Sequence, residues 1–310
     1  MPIPTDVDQL ANQVRGGDRR ALARAISIVE DRKPGADRLL AAIYRGSVGP
    51  VVVGVTGAPG AGKSSLVSEL VTHIRTLGET VAVLAVDPSS PFTGGAILGD
   101  RIRMQEHVSD SGVYVRSMST RGHLGGLSDA ASRALVVLSH AGFDVIIVET
   151  VGVGQSETEI AEAADTTIVV VTPGWGDGIQ ASKAGLLEIA DLLVVNKADL
   201  AGADEVERDL TLMLELGGST AWRPSIVRTS AVEHTGVGAL WDEVHRHRNW
   251  LATDHRGSDR RRRQLASLIR TAASAELAAR VDGLDVPPDL TGRVARGDLD
   301  PWTAARTLIS

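Results

Sequence analysis

VVVGVTGAPGAGKSSLVSEL, residues 51–70, is the stretch on which the reading of the whole chain turns. It opens with a β-branched run bounded by glycines and closes with apolar residues at helical spacing. Between them lies GAPGAGKS, Gly57 to Ser64. A strand, a glycine-rich turn and a helix start, in that order, bring consecutive backbone N–H groups toward one anion. The positive end of the helix dipole adds to their pull. Gly57, Ala58, Pro59, Gly60, Ala61 and Gly62 supply the backbone of such a phosphate cradle, and Ser65 belongs to its first helical turn. Lys63 is then the cation for β- and γ-phosphates, and Ser64 offers its hydroxyl to Mg²⁺.

Outward from this loop the same kind of run recurs: TVAVLAV at 80–86, VYVRSM at 113–118, VIIVE at 145–149, TIVVVT at 167–172, LLVVN at 192–196 and SIVRTS at 225–230. Short, unbroken apolar runs mark strands buried on both faces of a parallel sheet. Helical stretches separate most of them; one spans Ser64–Leu77 and stops at Gly78, a good residue for a helix end. The expected fold is therefore α/β, a doubly wound and mostly parallel sheet of the P-loop NTPase kind, with ligands at the carboxyl ends of its strands. Residues 1–48 read as a helical N-terminal extension broken near Lys33-Pro34-Gly35, 49–252 as the P-loop domain, and 253–310 as a helical C-terminal segment. The basic run Arg260–Arg263 reads as a solvated helix face, with a partner or phosphate contact as the alternative.

Two more loops carry chemistry. NKAD, Asn196 to Asp199, ends the apolar strand LLVV. A carboxylate there accepts from guanine N1–H and the exocyclic amine, whereas adenine presents an acceptor at N1 and leaves the carboxylate unpaired. Lys197 lays its stem over the base, and Asn196 ties this loop to the phosphate loop. Ser230, Ala231 and Val232 follow the next strand, where a backbone N–H reaches the guanine O6. ETVGVGQSE, residues 149–157, follows the strand DVIIV. Glu149 is placed to hold Mg²⁺ through its water shell, and Gly152 lets a backbone N–H approach the γ-phosphate. GTP or GDP with Mg²⁺ is the ligand these residues describe, and Lys63, Glu149 and Gly152 belong to the catalytic set.

Composition narrows the alternatives. A hydrophobic fraction of 43% with only 3% aromatics calls for an aliphatic core. A net charge of −7 argues against a dedicated nucleic-acid binder. Without cysteine there are neither disulfides nor thiolate metal sites. No signal peptide or membrane-spanning run is visible, so a cytoplasmic protein without a membrane partner is expected.

The stretches AVDPSSPFTGGAILGDRIRM (85–104), STRGHLGGL (119–127), ETVGVGQSE (149–157) and PGWGDGIQASKAGLLEIADLLVVNKADL (173–200) closely resemble the MeaB/ArgK family of GTPases, which includes the human methylmalonic aciduria type A protein. The resemblance implies a homodimer whose C-terminal arm is the dimerisation element. It also implies a chaperone role for an adenosylcobalamin-dependent acyl-CoA mutase such as methylmalonyl-CoA mutase. By the same resemblance Asp87 and Asp100 belong to the Mg²⁺ and switch region. Asp100 is favoured for the attacking water or the metal, and Asp87 for the metal's outer shell. Both also read as ordinary turn or cap aspartates. Accessory work in amino-acid transport and a metallochaperone role are the competing readings. In Ras-like enzymes a Gln follows the γ-phosphate glycine and orients the water. Here that position is Val153, so slow intrinsic turnover is expected.

Overall fold

Each β-branched run becomes a strand: β1 Val51–Gly57, β2 Val81–Asp87, β3 Val113–Ser119, β4 Val145–Thr150, β5 Thr166–Val171, β6 Leu192–Asn196 and β7 Ser225–Thr229. The structure is a computed structural model, and it describes residues 7–44, 49–87, 105–107, 109–119, 129–150, 156–174, 185, 188–216 and 221–309. The strands form one sheet in the order β3-β2-β4-β1-β5-β6-β7, and every pairing is parallel. From β1 the chain moves to β2 and β3 on one side, returns to β4, then crosses to β5 on the other side. The order thus reverses at β1, and a crevice opens beyond its carboxyl end.

Helices cover both faces. Among the described residues the helices of the chain as a whole are α1 Val7–Arg15, α2 Arg19–Glu30, α3 Ala36–Ile43, α4 Lys63–Thr76, α5 Asp129–Ser139, α6 Ser156–Ala163, α7 Ala203–Leu216, α8 Val237–Leu251, α9 Arg256–Asp282, α10 Pro288–Ala295 and α11 Pro301–Ile309, and those on the sheet are α1 to α8. Because strand side chains alternate, Val51, Val53 and Val55 pack with Leu66, Leu70 and Ile74 of α4 and Leu240 and Trp241 of α8. Val52, Leu84, Ile146 and Val148 point the other way, into a cluster with α1, α2, α3, α5 and α6. On that second face Val169, Val171, Leu193 and Val195 meet Ala203 and Leu210 of α7. The core is aliphatic, as the composition requires.

Two expectations need correcting. The N-terminal extension breaks a second time, at Gly16-Gly17-Asp18. Gly17 takes a φ of +77° and Asp18 then caps α2, its carboxylate accepting from the N–H groups of Arg20 and Ala21 at 2.9 and 2.8 Å. The run Arg260–Arg263 is not uniformly solvated either. Arg260 forks onto Asp191 at 3.0 and 2.7 Å and donates to the Ala164 carbonyl at 3.2 Å. One turn later Gln264, buried, donates to the same carbonyl at 2.9 Å. Four consecutive helix residues span about 300° of the circumference, so where the helix packs along one face a run of four arginines turns one of them inward.

The chain divides into two units, Met1–Gln264 and Leu265–Ser310. The second holds the remainder of α9 with α10 and α11, and among its described residues Leu290 and Ala304 are buried.

Candidate functional site

Glycine is required at both ends of the loop between β1 and α4. Gly57 has a φ of +141°, and a Cβ there would sit 2.1 Å from the Val170 carbonyl oxygen of β5. Gly62, with a φ of +83°, opens α4, and a Cβ on it would lie 2.5 Å from Asn196 Nδ2. Both positions demand backbone with nothing attached. α4 starts from this left-handed residue, which carries no capping side chain, so the positive end of the helix dipole opens onto the loop.

Lys63 is buried beneath the loop, and its Nζ donates to the carbonyls of Gly57 and Ala58 at 2.8 and 3.0 Å. Beside it Ser64 Oγ donates to Glu149 Oε1 at 2.6 Å, both residues buried. The pairing follows from the sheet, since β4 lies next to β1 and sets Glu149 opposite Val55. A hydroxyl and a carboxylate converging at the mouth of the phosphate loop are hard oxygen donors, the set that suits Mg²⁺. One step along β4, Thr150 Oγ1 donates to Thr56 Oγ1 at 3.1 Å, stitching the same two strands. Asp87 ends β2 opposite Ser119 of β3. Its side chain lies outside the described residues, as do Asp100 and Gly152 and the glycine-rich stretches at 125–126 and 175–178.

The second loop is fastened to the first. Asn196, buried at the end of β6, donates through Nδ2 to the Ala61 carbonyl at 2.8 Å and toward Gly62 at 3.4 Å. Its Oδ1 accepts from Thr229 Oγ1 at 3.1 Å, so the amide is held at both ends. Lys197 has a φ of +56° and reaches across to the Gly60 carbonyl at 2.9 Å. Its four-carbon stem therefore bridges the two loops. Asp199 is exposed, and its Oδ1 accepts from Ser230 Oγ at 2.6 Å.

Ser230 and Thr235 exchange main-chain bonds at 3.1 and 3.0 Å, closing a tight loop after β7. Ser230 Oγ also accepts from the Glu233 N–H at 3.2 Å, and Val232 stands out at 82% exposure. Gly57 through Ser65, Glu149, Asn196 to Asp199 and Ser230 to Val232 all lie at the carboxyl ends of β1, β4, β6 and β7. Sequence reading missed Thr229 and Thr56, whose hydroxyls brace this arrangement. No local pattern marks them, because their partners lie 33 and 94 residues away.

The comparisons agree with this geometry. A family model described as methylmalonyl-CoA mutase-associated GTPase MeaB matches residues 22–284. A Pyrococcus abyssi protein is 44% identical, over 98% of this chain and 96% of its own length. The Caenorhabditis elegans mitochondrial homologue of the methylmalonic aciduria type A protein is 32% identical, over 98% of this chain and 82% of its own. Among solved structures, one described as an LAO/AO transport system kinase superposes with a TM-score of 0.75 at 28% identity, covering 99% of this chain and 98% of that one. A loop that cradles phosphate, a carboxylate on the neighbouring strand and an Asn-Lys-x-Asp loop tied to the cradle are the parts a GTPase needs, and the chain belongs to the MeaB/ArgK family of P-loop GTPases.

Proposed function

We propose that the protein binds GTP and GDP with Mg²⁺, hydrolyses the γ-phosphate, and thereby gates an adenosylcobalamin-dependent acyl-CoA mutase, working as a homodimer in the cytoplasm. The observation that carries the nucleotide half is the amide of Asn196, which bonds the base loop to the phosphate loop at 2.8 Å. A site joined in this way reads base and phosphates as one ligand. Asp199 pairs with guanine N1–H and the exocyclic amine, and Ser230 fixes its orientation. Lys63 exchanges its two loop carbonyls for β- and γ-phosphate oxygens. Ser64 and Glu149 would hold Mg²⁺, which would supply positive charge against the phosphates. Asp100 and Asp87 complete the switch side, and Gly152 offers its N–H to the γ-phosphate.

The mutase half rests on the family, whose description names that association. Residues 49–252 are the GTPase domain, 1–48 its helical extension and 253–310 the dimerisation arm. The transport description of one solved relative favours a second reading, an accessory to amino-acid uptake. Among the described residues no helix is long and apolar enough to cross a membrane, so that role needs a separate permease.

One experiment separates the readings. The protein is used to capture a purified acyl-CoA mutase in GDP and in a non-hydrolysable GTP analogue, with Lys63→Ala as the nucleotide-blind control. Nucleotide-dependent capture that vanishes in the control is expected. Capture of no mutase in either state removes the chaperone role and leaves the transport reading.

A further inference from the structure

The loop from Ser230 to Thr235 is closed on itself by main-chain bonds, and its turn passes through His234 at a φ of +52°. That region is uncommon for a residue with a side chain. From there the imidazole Nδ1 lies 2.9 Å from Glu69 Oε2. Glu69 stands on α4, the helix that the phosphate loop opens, little more than a turn beyond Ser64. The same loop holds Asp199 through Ser230 Oγ. A chain of contacts therefore runs from α4 through Glu69, His234 and Ser230 to the carboxylate that faces the base.

The geometry points to His234 as a positioning residue: its pair with Glu69 fixes the 230–235 loop against α4, strengthens guanine-nucleotide binding, and makes that binding weaken as pH rises. This rests on the nucleotide reading of the site and adds a control to it. Two carboxylates act on the ring from the elements around it, Glu69 on α4 and Glu106 on the short 3-10 turn Gln105–His107. Glu233 adjoins it on its own loop. His107, next to Glu106, is buried and committed to Ser68 Oγ at 3.0 Å, so it does not compete for Glu69.

The bond to Glu69, then the charge of Glu69, hold His234 above its ordinary 6.5 against the opposing effect of burial, and Glu106 adds a lesser push in the same direction as Glu69. The charged pair is therefore kept to higher pH than a free imidazole would allow, and it is lost as pH rises through the raised value. The His234 side chain is 73% exposed, so solvent screens the pair, and the effect on affinity is about two- to fivefold.

The test is calorimetric titration of the full chain with GDP and Mg²⁺ from about pH 6 to about pH 9, a range that brackets a raised histidine. His234→Asn is the main variant, because asparagine tolerates the left-handed backbone and carries no charge. Taking the ratio of variant to wild-type Kd at each pH cancels the titration of the nucleotide itself. The ratio should be about threefold at the acid end and approach one at the alkaline end. Glu69→Gln should give the same profile, and the double variant should be no weaker than either single one. Single-turnover hydrolysis at saturating GTP should not change in either variant, since neither residue touches the reacting atoms. A ratio that is flat with pH, or losses that add in the double variant, would overturn the assignment. If His234→Asn fails to fold, the Glu69→Gln profile alone decides. Wild-type protein that binds ADP as well as GDP would instead remove the nucleotide reading, an outcome distinct from failure of the pair.

Discussion

On the proposed reading of the site, base choice depends on Asp199. It is exposed in the loop after β6, and one carboxylate oxygen accepts from Ser230 Oγ. Asp199→Asn converts an acceptor into a donor, which suits xanthine, whose extra carbonyl stands where guanine has its amine. The variant should lose at least about a hundredfold in GTP affinity and prefer XTP, since leaving a buried polar group unpaired is what makes hydrogen-bonded sites discriminate. Competition binding between GTP and XTP reads this directly, and retained GTP preference would take the base-reading role from Asp199. Asn196 acts differently, through the loops rather than the ligand. Asn196→Ala removes the bonds to Ala61 and Thr229 and strands the carbonyl and hydroxyl that it satisfied. Such a loss costs about 1–3 kcal/mol where the group is buried. The affinity for both GTP and ATP should fall together, a signature that separates tying the loops from reading the base. Most of these residues were legible in the sequence because nucleotide chemistry fixes their order over short spans. Thr229 and Thr56 were not, because their roles are set by strand neighbours that spacing along the chain does not encode.

At the scale of elements, the strands were readable because the central ones are buried on both faces and read as unbroken apolar runs; the edge strands β3 and β7 are half-buried and carry Arg116 and Arg228. Observed ends differ from the expected ones by a residue or so. The N-terminal helices were less legible. Apolar spacing runs on through Val14 and resumes at Leu22, so periodicity hides the break, and what signals it is Gly16-Gly17-Asp18. The Asp18 cap can be tested, since it satisfies two leading N–H groups of α2 with one carboxylate oxygen. Asp18→Ala should destabilise the protein by about 1 kcal/mol, the usual cost of losing an aspartate cap. Chemical denaturation would show a lower midpoint at unchanged slope, whereas an unchanged midpoint would mean that core packing alone holds the end of α2. Arg260 shows the opposite limit of sequence reading. A row of four arginines looks like a solvated face, yet its first member is held by Asp191, far away in sequence and placed there by the start of β6. Charge runs reveal their partners only after the sheet has set its register.

For the molecule as a whole, pH response has a centre far from the nucleotide crevice, at the amino ends of β5 and β6. His247 of α8 is fully buried there, its Nδ1 2.9 Å from Thr166 Oγ1 and its Nε2 3.4 Å from Asp191 Oδ1. Trp222 and Trp250 flank the ring at centroid distances of 4.7 and 5.6 Å. Burial drives its pKa down to about 4; the charge of Asp191 opposes this, while Arg260 and Arg246 reinforce it. Asp191 does not rescue the charged form because its carboxylate already receives the fork of Arg260 and the N–H of Thr167. An unfolded histidine titrates near 6.5, so between that value and about 4 the unfolded chain holds a proton that the folded one refuses. Stability is therefore complete above the unfolded pKa and declines as pH falls through this window. For a single group of this kind the loss between about pH 7.5 and about pH 5 is about 2 kcal/mol. The lowered carboxylates Asp110 and Asp144 add their own decline only at more acidic pH, below their ordinary 3.8. Urea unfolding at several pH values should show this slope in the wild type. It should largely disappear in His247→Gln, which keeps a polar partner for Thr166 but cannot take a proton; an equal slope in that variant would assign the acid sensitivity to another group.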